Sequence, residues 1–145
     1  MSRSTADRLI AQNVAAYNLV AASYDQSHPE IFNVVEQARL AGAVREVLAA
    51  VRSREGAPAR VLDVGAGTGN LTAHLLAAGA FVVAADVSVE CLRVVREKFG
   101  HTGRLETQLI DGRSLAVLAD ESFDGVACYS VLHHVPDYVS LAGEM

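Results

Sequence analysis

The segment Val61-Leu-Asp-Val-Gly-Ala-Gly-Thr-Gly-Asn70 puts Gly65, Gly67 and Gly69 at alternate positions, after a short apolar run and before a helical one. Glycine at such a point allows a tight turn and lets the backbone approach a ligand with no Cβ in the way. Free amides at the start of the following helix favour a carboxylate or a phosphate group. Many turns use glycine for positive φ alone, so it is the place between strand and helix that points to a nucleotide-type site. Asp86 closes the next apolar run, 21 residues after Gly65. An acid at that spacing can accept hydrogen bonds from both hydroxyls of an unphosphorylated ribose. An acid just before Ser88 would also suit the start of a helix. Spacing and strand-end position together favour ribose binding.

Two details separate the adenosine binders. The dinucleotide fingerprint GxGxxG would need its third glycine at Asn70, and Asp63, two residues before the first glycine, is no part of that fingerprint. A nicotinamide-dependent oxidoreductase is therefore disfavoured. Asp111-Gly112 is either a ligand-binding turn or an ordinary turn dipeptide. His133-His134 suit a metal poorly, because a helix points adjacent residues about 100° apart and no other ligand cluster exists. A general base is conceivable for one of them, but holding the turn after a strand is the favoured role. Cys128 reads as a small core residue, since nothing near it in sequence would lower its pKa.

The elements that must carry these residues follow from periodicity. Ile10, Val14, Tyr17 and Ala21 form one helical stripe, and a break follows at Ser23–Pro29. Leu40, Val44, Val47, Leu48 and Val51 form a second stripe, ended by Gly56 and Pro58. From Arg60 the texture alternates. Strands are expected at Arg60–Val64, Phe81–Asp86, Leu105–Ile110 and Phe123–Ser130. Helices are expected near Asn70–Ala78 and from the N-cap Ser88 to Gly100. The βαβαβ order implies an α/β fold with a parallel, doubly wound sheet. The expected division is an N-terminal helical cap over residues 1–58 and a core over 59–145.

Composition agrees. The chain has 145 residues, a formal net charge of −5 and 51% hydrophobic residues, which suits one folded domain and argues against disorder. A mean hydropathy of +0.24 fits segments buried on both faces. The uncharged run Val64–Ala85 is long enough to span a bilayer, but its four glycines and its polar residues read as strand, turn and helix. The N-terminus lacks the apolar core of a signal peptide. Cys91 and Cys128 form no CxxC pair, and a reduced, cytoplasmic protein is the simplest reading. The acidic balance gives no footprint for nucleic acid or an anionic membrane.

The motifs together resemble the class I S-adenosylmethionine-dependent methyltransferases. The stretches that carry the resemblance are Val61–Gly69, Val83-Ala-Ala-Asp-Val-Ser88, Leu109-Ile-Asp-Gly112 and Asp120–Asp137, in order over Arg60–Asp137. The last stretch, with Tyr24-Asp25 after the N-terminal helix, looks like the subgroup of quinone-biosynthesis and other small-molecule enzymes. The resemblance implies a Rossmann-like fold and S-adenosylmethionine as cofactor. It places Asp63 near the methionine ammonium, with Gly65, Ala66 and Gly67 along the methionine and ribose. It places Asp86 on the ribose hydroxyls and Val87 against the adenine. Asp111 would accept from the adenine amino group and the Gly112 amide would donate to the ring. Cys128 and Tyr129 would flank the methionine moiety, and Tyr24 would cover the site. No catalytic residue and no metal ligand is assigned.

The resemblance also implies seven strands in the order 3-2-1-4-5-7-6. The sequence supplies four, so strand order 3-2-1-4 is expected, with the C-terminal strands missing and the fourth strand at an edge that invites another chain. The expected function is methyl transfer to a small-molecule acceptor, or the cofactor-binding part of such an enzyme. The alternative is a non-catalytic truncated fragment, or a subunit whose sheet another chain completes.

Overall fold

A computed structural model describes residues 3–51, 53 and 56–145 of the chain. The N-terminal stripe lies in helix α1 (Arg3–Val20), which runs through a 3₁₀ turn, Ala21–Ser23, into a short α2 (Tyr24–Ser27). The break expected at Ser23–Pro29 is thus a change of helical direction first, and a turn only after His28. The carbonyl of His28 accepts from the amides of Ile31 and Phe32 and turns the chain towards α3 (Val34–Ala50). Asn33 starts α3, its side chain accepting from the amides of Val35 and Glu36.

The sheet contains β1 (Arg60–Val64), β2 (Phe81–Asp86), β3 (Leu105–Leu109) and β4 (Gly125–Cys128), all parallel in the order β3-β2-β1-β4. Helices α4 (Asn70–Ala77) and α5 (Val89–Phe99) link the first three strands, and α6 (Tyr138–Gly143) follows β4. The expected parallel, doubly wound α/β sheet is the observed one. β4 is shorter than the expected Phe123–Ser130, because Ser130 takes φ of 56°, a left-handed turn that ends extended chain. α5 ends at Phe99 with Gly100 as its C-cap, as the sequence leads one to expect. A 3₁₀ turn carries the chain to Gly103, whose φ of 67° makes the reversal.

Alternation along β1 distributes the core. Val61 packs with Leu40, Val44, Leu71, Leu75, Leu76 and Val82 under α3 and α4. Leu62 and Val64 face the opposite layer, with Val83, Ala85, Ile110, Leu115 and Leu141. Strands buried on both faces explain the apolar runs in the sequence. In the second stripe Leu40 and Val44 are buried but Val47 is 62% exposed, so the inward face of α3 is narrower than the stripe suggests. The chain order reverses at β1, between β2 and β4, and the carboxyl ends of these strands converge there. No helix of the described residues is long and apolar enough to cross a membrane.

Candidate functional site

The glycine turn leaves β1 at the reversal point. The amides of Gly65 and Ala66 both donate to the carbonyl of Ala85, at 2.8 and 3.0 Å, so the turn is fixed to the end of β2. Its three glycines serve different ends. Gly65 has φ of 70°, and a Cβ there would collide with the Val131 side chain. Gly69 has φ of 92°, and its Cβ would stand 2.7 Å from Phe99. Gly67 has φ of 53°, but its Cβ would meet no protein atom within 4 Å. The bare face of Gly67 therefore borders open space, where only a ligand would meet an added side chain.

Asp86 supports this turn from β2. Its Oδ2 accepts from the Gly67 amide and its Oδ1 from the Ser88 amide, each at 2.8 Å. Burial pushes its carboxyl above the usual range, and the Ser88 and Gly67 amides pull it back down. A carboxylate oxygen with one such bond retains acceptor capacity for a hydroxyl. Asp63 lies deeper, 1% exposed, and accepts from Thr72 Oγ1 at 2.6 Å. Its carboxyl is pushed up to about 7, chiefly by burial and then by the charge of Asp86, with the Thr72 hydroxyl opposing.

The N-terminal helices form a strap across the ends of the strands. Asp7 of α1 pairs with Arg113 after β3. Asn18 accepts from the Ser88 hydroxyl at 2.6 Å. Asn13 Nδ2 donates to the carbonyl of His134 at 3.1 Å, and the Tyr17 hydroxyl lies 3.1 Å from His134 Nε2. At the turn into α2, Asp25 accepts from Thr68 Oγ1 and from Lys98 Nζ, each at 2.5 Å. Tyr24, beside it, stacks on His28 with ring centroids 3.9 Å apart. On the far side the Tyr129 hydroxyl donates to Glu36 of α3 at 2.7 Å.

Strap, glycine turn and strand ends enclose a cleft of about 1000 Å³, counted to its open mouth. It is largely apolar, with Ile10, Ile31, Phe32, Val131, Val135 and Pro136 facing the strand ends, the usual character of a small-molecule site. Of the residues singled out in the sequence, Tyr24, Gly65, Ala66, Gly67, Asp86, Val87, Gly112 and Tyr129 line it. Asp63, Asp111 and Cys128 do not. Asp63 is beneath the turn, and Asp111 is exposed, its carboxylate accepting from the amides of Arg113 and Ser114. Cys128 is exposed on β4, and Cys91 is buried; neither forms a disulfide. Among the described residues no cluster of three or more His, Cys, Asp or Glu could hold a metal.

Several lining residues were not visible as site residues in the sequence. Tyr17 read as part of a helical stripe, and Asn13 and Thr68 carried no signal. Asn70 stood out only as the position where a third glycine was wanting. Lys98 does not line the cleft but bonds to Asp25 and to the Thr68 carbonyl, and only its being the single lysine of the chain marked it.

Residues 62–145 match the family described as methyltransferase domain. The chain is similar to the ubiquinone biosynthesis O-methyltransferase of Xanthomonas axonopodis pv. citri, with 39% identity over 84 residues, 57% of this chain and 35% of that protein. It is also similar to the demethylmenaquinone methyltransferase of Mycobacterium sp. (strain KMS), with 34% identity over 146 residues, 100% of this chain and 58% of that protein. Among solved structures, YcgJ from Bacillus subtilis superposes with a TM-score of 0.58 at 25% identity, over 71% of this chain and 44% of that one. The chain thus spans 35% to 58% of the length of these two curated relatives. It belongs to the methyltransferase domain family, and its fold and motifs are those of the S-adenosylmethionine-dependent class I members.

Proposed function

We propose that the cleft binds S-adenosylmethionine and that the chain takes part in methylating a small, largely apolar acceptor. One observation carries this reading: the glycine turn and Asp86 meet across a single 2.8 Å hydrogen bond at the rim of an apolar cleft, in a chain of this family. The residues present fit the cofactor. Gly67 offers backbone without a Cβ on the ligand side, and Asp86 retains acceptor capacity for ribose hydroxyls. Val87 and Gly112 line the cleft beside it and pack together, a Cβ at Gly112 standing 2.9 Å from Val87, and the Val87 side chain offers an apolar surface for the adenine. Tyr24 covers the turn from the strap. Asp63 would act from below the turn, where an ammonium group above it would favour its charged form. Asp111 would act through the Gly112 turn that its carboxylate shapes, and Cys128 through the end of β4.

The bound cofactor would supply a methyl group on a sulfonium, a centre already activated for transfer. The protein's part is to exclude water and hold the acceptor in line, which the apolar wall of Ile10, Ile31, Phe32 and Val135 is suited to do. The two quinone-biosynthesis relatives support an acceptor of that character. The net charge of −5 speaks for a small molecule over nucleic acid, and the unpaired Cys91 and Cys128 support a cytoplasmic setting. Titration with S-adenosylhomocysteine tests the reading, with the Asp86→Ala variant as the control that must bind more weakly.

The division into a helical cap, residues 1–58, and a core, 59–145, is part of this reading, the strap being the cap's contribution to the cleft. A partner belongs to it as well. β4 pairs with β1 alone among the described strands, and a groove beside it is lined by Leu62, Leu118, Phe123, Val126 and Met145. Such an edge supports self-association or a complementing chain at β4. Light scattering of the purified chain should show species larger than one copy, and a clean monomer at high concentration would contradict it.

A further inference from the structure

Tyr17 of α1 and His134, in the 3₁₀ turn Leu132–His134 after β4, meet at the wall of the cleft. The Tyr17 hydroxyl lies 3.1 Å from His134 Nε2, and the two rings stand edge to face with centroids 5.8 Å apart. One turn earlier on α1, Asn13 Nδ2 donates to the carbonyl of the same histidine at 3.1 Å. The His134 amide closes its own turn by donating to the Val131 carbonyl at 2.9 Å. His134 is thus held through its main chain on both sides, and its ring is not needed to fasten the strap. The other ionisable groups of the wall are engaged elsewhere. Asp86 accepts from two amides, Tyr129 donates to Glu36, Tyr24 stacks on His28, and Cys91 is a buried thiol. Among the described residues of the wall, His134 alone is of a type that ordinarily changes charge near neutral pH.

His134 also joins the cleft to water, since its Nε2 meets the cleft-lining Tyr17 while the residue itself is exposed. Partial burial, and after it the neighbouring His133, hold the His134 imidazole below its usual range, so it is neutral at neutral pH. Burial, then Tyr24, Asp86 and Cys91, push the Tyr17 phenol up, so it keeps its proton. A neutral imidazole behind a protonated phenol is a base with a proton carrier in front of it. We infer that Tyr17 and His134 form a proton relay to an acceptor hydroxyl, and that the acceptor is a phenol seated in the apolar cleft. An apolar wall suits an aromatic ring, and an aliphatic alcohol holds its proton too tightly for such a base. Tyr17 is the catalytic residue that touches the acceptor, and His134 acts through it. With the imidazole proton on Nδ1, Nε2 accepts from the Tyr17 hydroxyl, whose oxygen keeps a lone pair for the acceptor O–H. The acceptor proton passes to the Tyr17 oxygen as the Tyr17 proton passes to Nε2, leaving an oxyanion and an imidazolium. The oxyanion bonds to the methyl carbon, the carbon–sulfur bond breaks with its electron pair staying on sulfur, and His134 returns its proton to water. This rests on the reading of the cleft as the S-adenosylmethionine site.

Absorbance and nitrogen NMR of the chain saturated with S-adenosylhomocysteine test the relay, with 4-nitrophenol as the probe. This phenol is acidic enough for its proton to cross to His134 at equilibrium, and its colour reports the oxyanion. In the wild type the ionisation midpoint of the bound probe should fall by about one pH unit or more, a roughly 10-fold bias towards the oxyanion, while the His134 ring appears as imidazolium. His134→Gln keeps an acceptor for the Tyr17 hydroxyl but no site for the proton. It should abolish the shift and leave S-adenosylhomocysteine affinity within about 2-fold. Tyr17→Phe should abolish the shift as well. A bond that only fastens the strap would leave the wild-type midpoint unmoved, or leave it the same in wild type and His134→Gln, and either result would overturn the relay. A loaded chain that does not bind 4-nitrophenol would overturn it too. A chain that does not bind S-adenosylhomocysteine would instead sink the cofactor reading, which separates the two failures.

Discussion

Thr68 Oγ1, in the glycine turn, donates to Asp25 Oδ1, in the N-terminal strap, at 2.5 Å across 43 residues of sequence. Lys98 of α5 completes the junction. Its ammonium donates to the other oxygen of Asp25 at 2.5 Å and to the Thr68 carbonyl at 2.9 Å. The strap that carries Tyr24 over the cleft is thereby fastened to the loop at the cleft floor. Asp25 and Lys98 are each 35% exposed at their side chains, so the charge pair by itself is worth about 0.2–1 kcal/mol. The shared hydroxyl adds roughly 1 kcal/mol more.

Asp25→Ala should accordingly lower stability by about 1–2 kcal/mol, as read by denaturant unfolding. It should also speed release of S-adenosylhomocysteine in a stopped-flow chase, because opening the strap no longer breaks these bonds. Added salt should speed release from the wild type and leave the variant nearly unchanged. Equal release rates for the two proteins would mean that the strap is no barrier to exit.

Gly65 and Gly67 should separate fold from site. Gly65→Ala drives a Cβ into Val131 in a left-handed conformation and should cost several kcal/mol, or prevent folding. Gly67→Ala meets no protein atom, so its stability loss should stay near the roughly 1–2 kcal/mol of left-handed strain. Its loss of cofactor binding should be far larger than that strain implies. Thermal unfolding and ligand titration of the two variants together decide this.

Asp63 makes the stability pH-dependent. Its carboxyl is raised from 3.8 to about 7, so across that window the folded chain holds a proton that the unfolded chain has released. The contribution of Asp63 therefore weakens stability as pH rises from about 4 to about 7 and is flat beyond. Asp63→Asn keeps an acceptor for the Thr72 hydroxyl and should remove this fall, leaving the variant more stable than the wild type near pH 8, by on the order of a few kcal/mol. Parallel pH profiles of the two proteins would contradict the account.

Much of this architecture is legible in the residues themselves. Parallel strands covered on both faces read as unbroken apolar runs, and the glycine turn and Asp86 stand at strand ends where spacing alone locates them. The strand order follows from that alternation together with the family resemblance. What could not be read are the contacts that tertiary packing creates. Asp25 meets Thr68 and Lys98 only because α2 folds back over the turn, and Gln37 meets Asn70 across 33 residues through the packing of α3 on α4. Neither pair has a local pattern. Ser130 ends β4 early through a left-handed φ that no strand-forming propensity announces. Val47 shows the converse, an apolar residue at helical spacing that the core does not reach.

The most direct test of the central claim is a calorimetric titration of the wild-type chain with S-adenosylhomocysteine, beside Asp86→Ala and with NADH as the competing ligand. The account predicts saturable binding with one site per chain, weakened by about 10-fold or more in Asp86→Ala, where ribose hydroxyls lose a charged acceptor, and no comparable binding of NADH. Undiminished binding by Asp86→Ala, or selective tight binding of NADH, would contradict it.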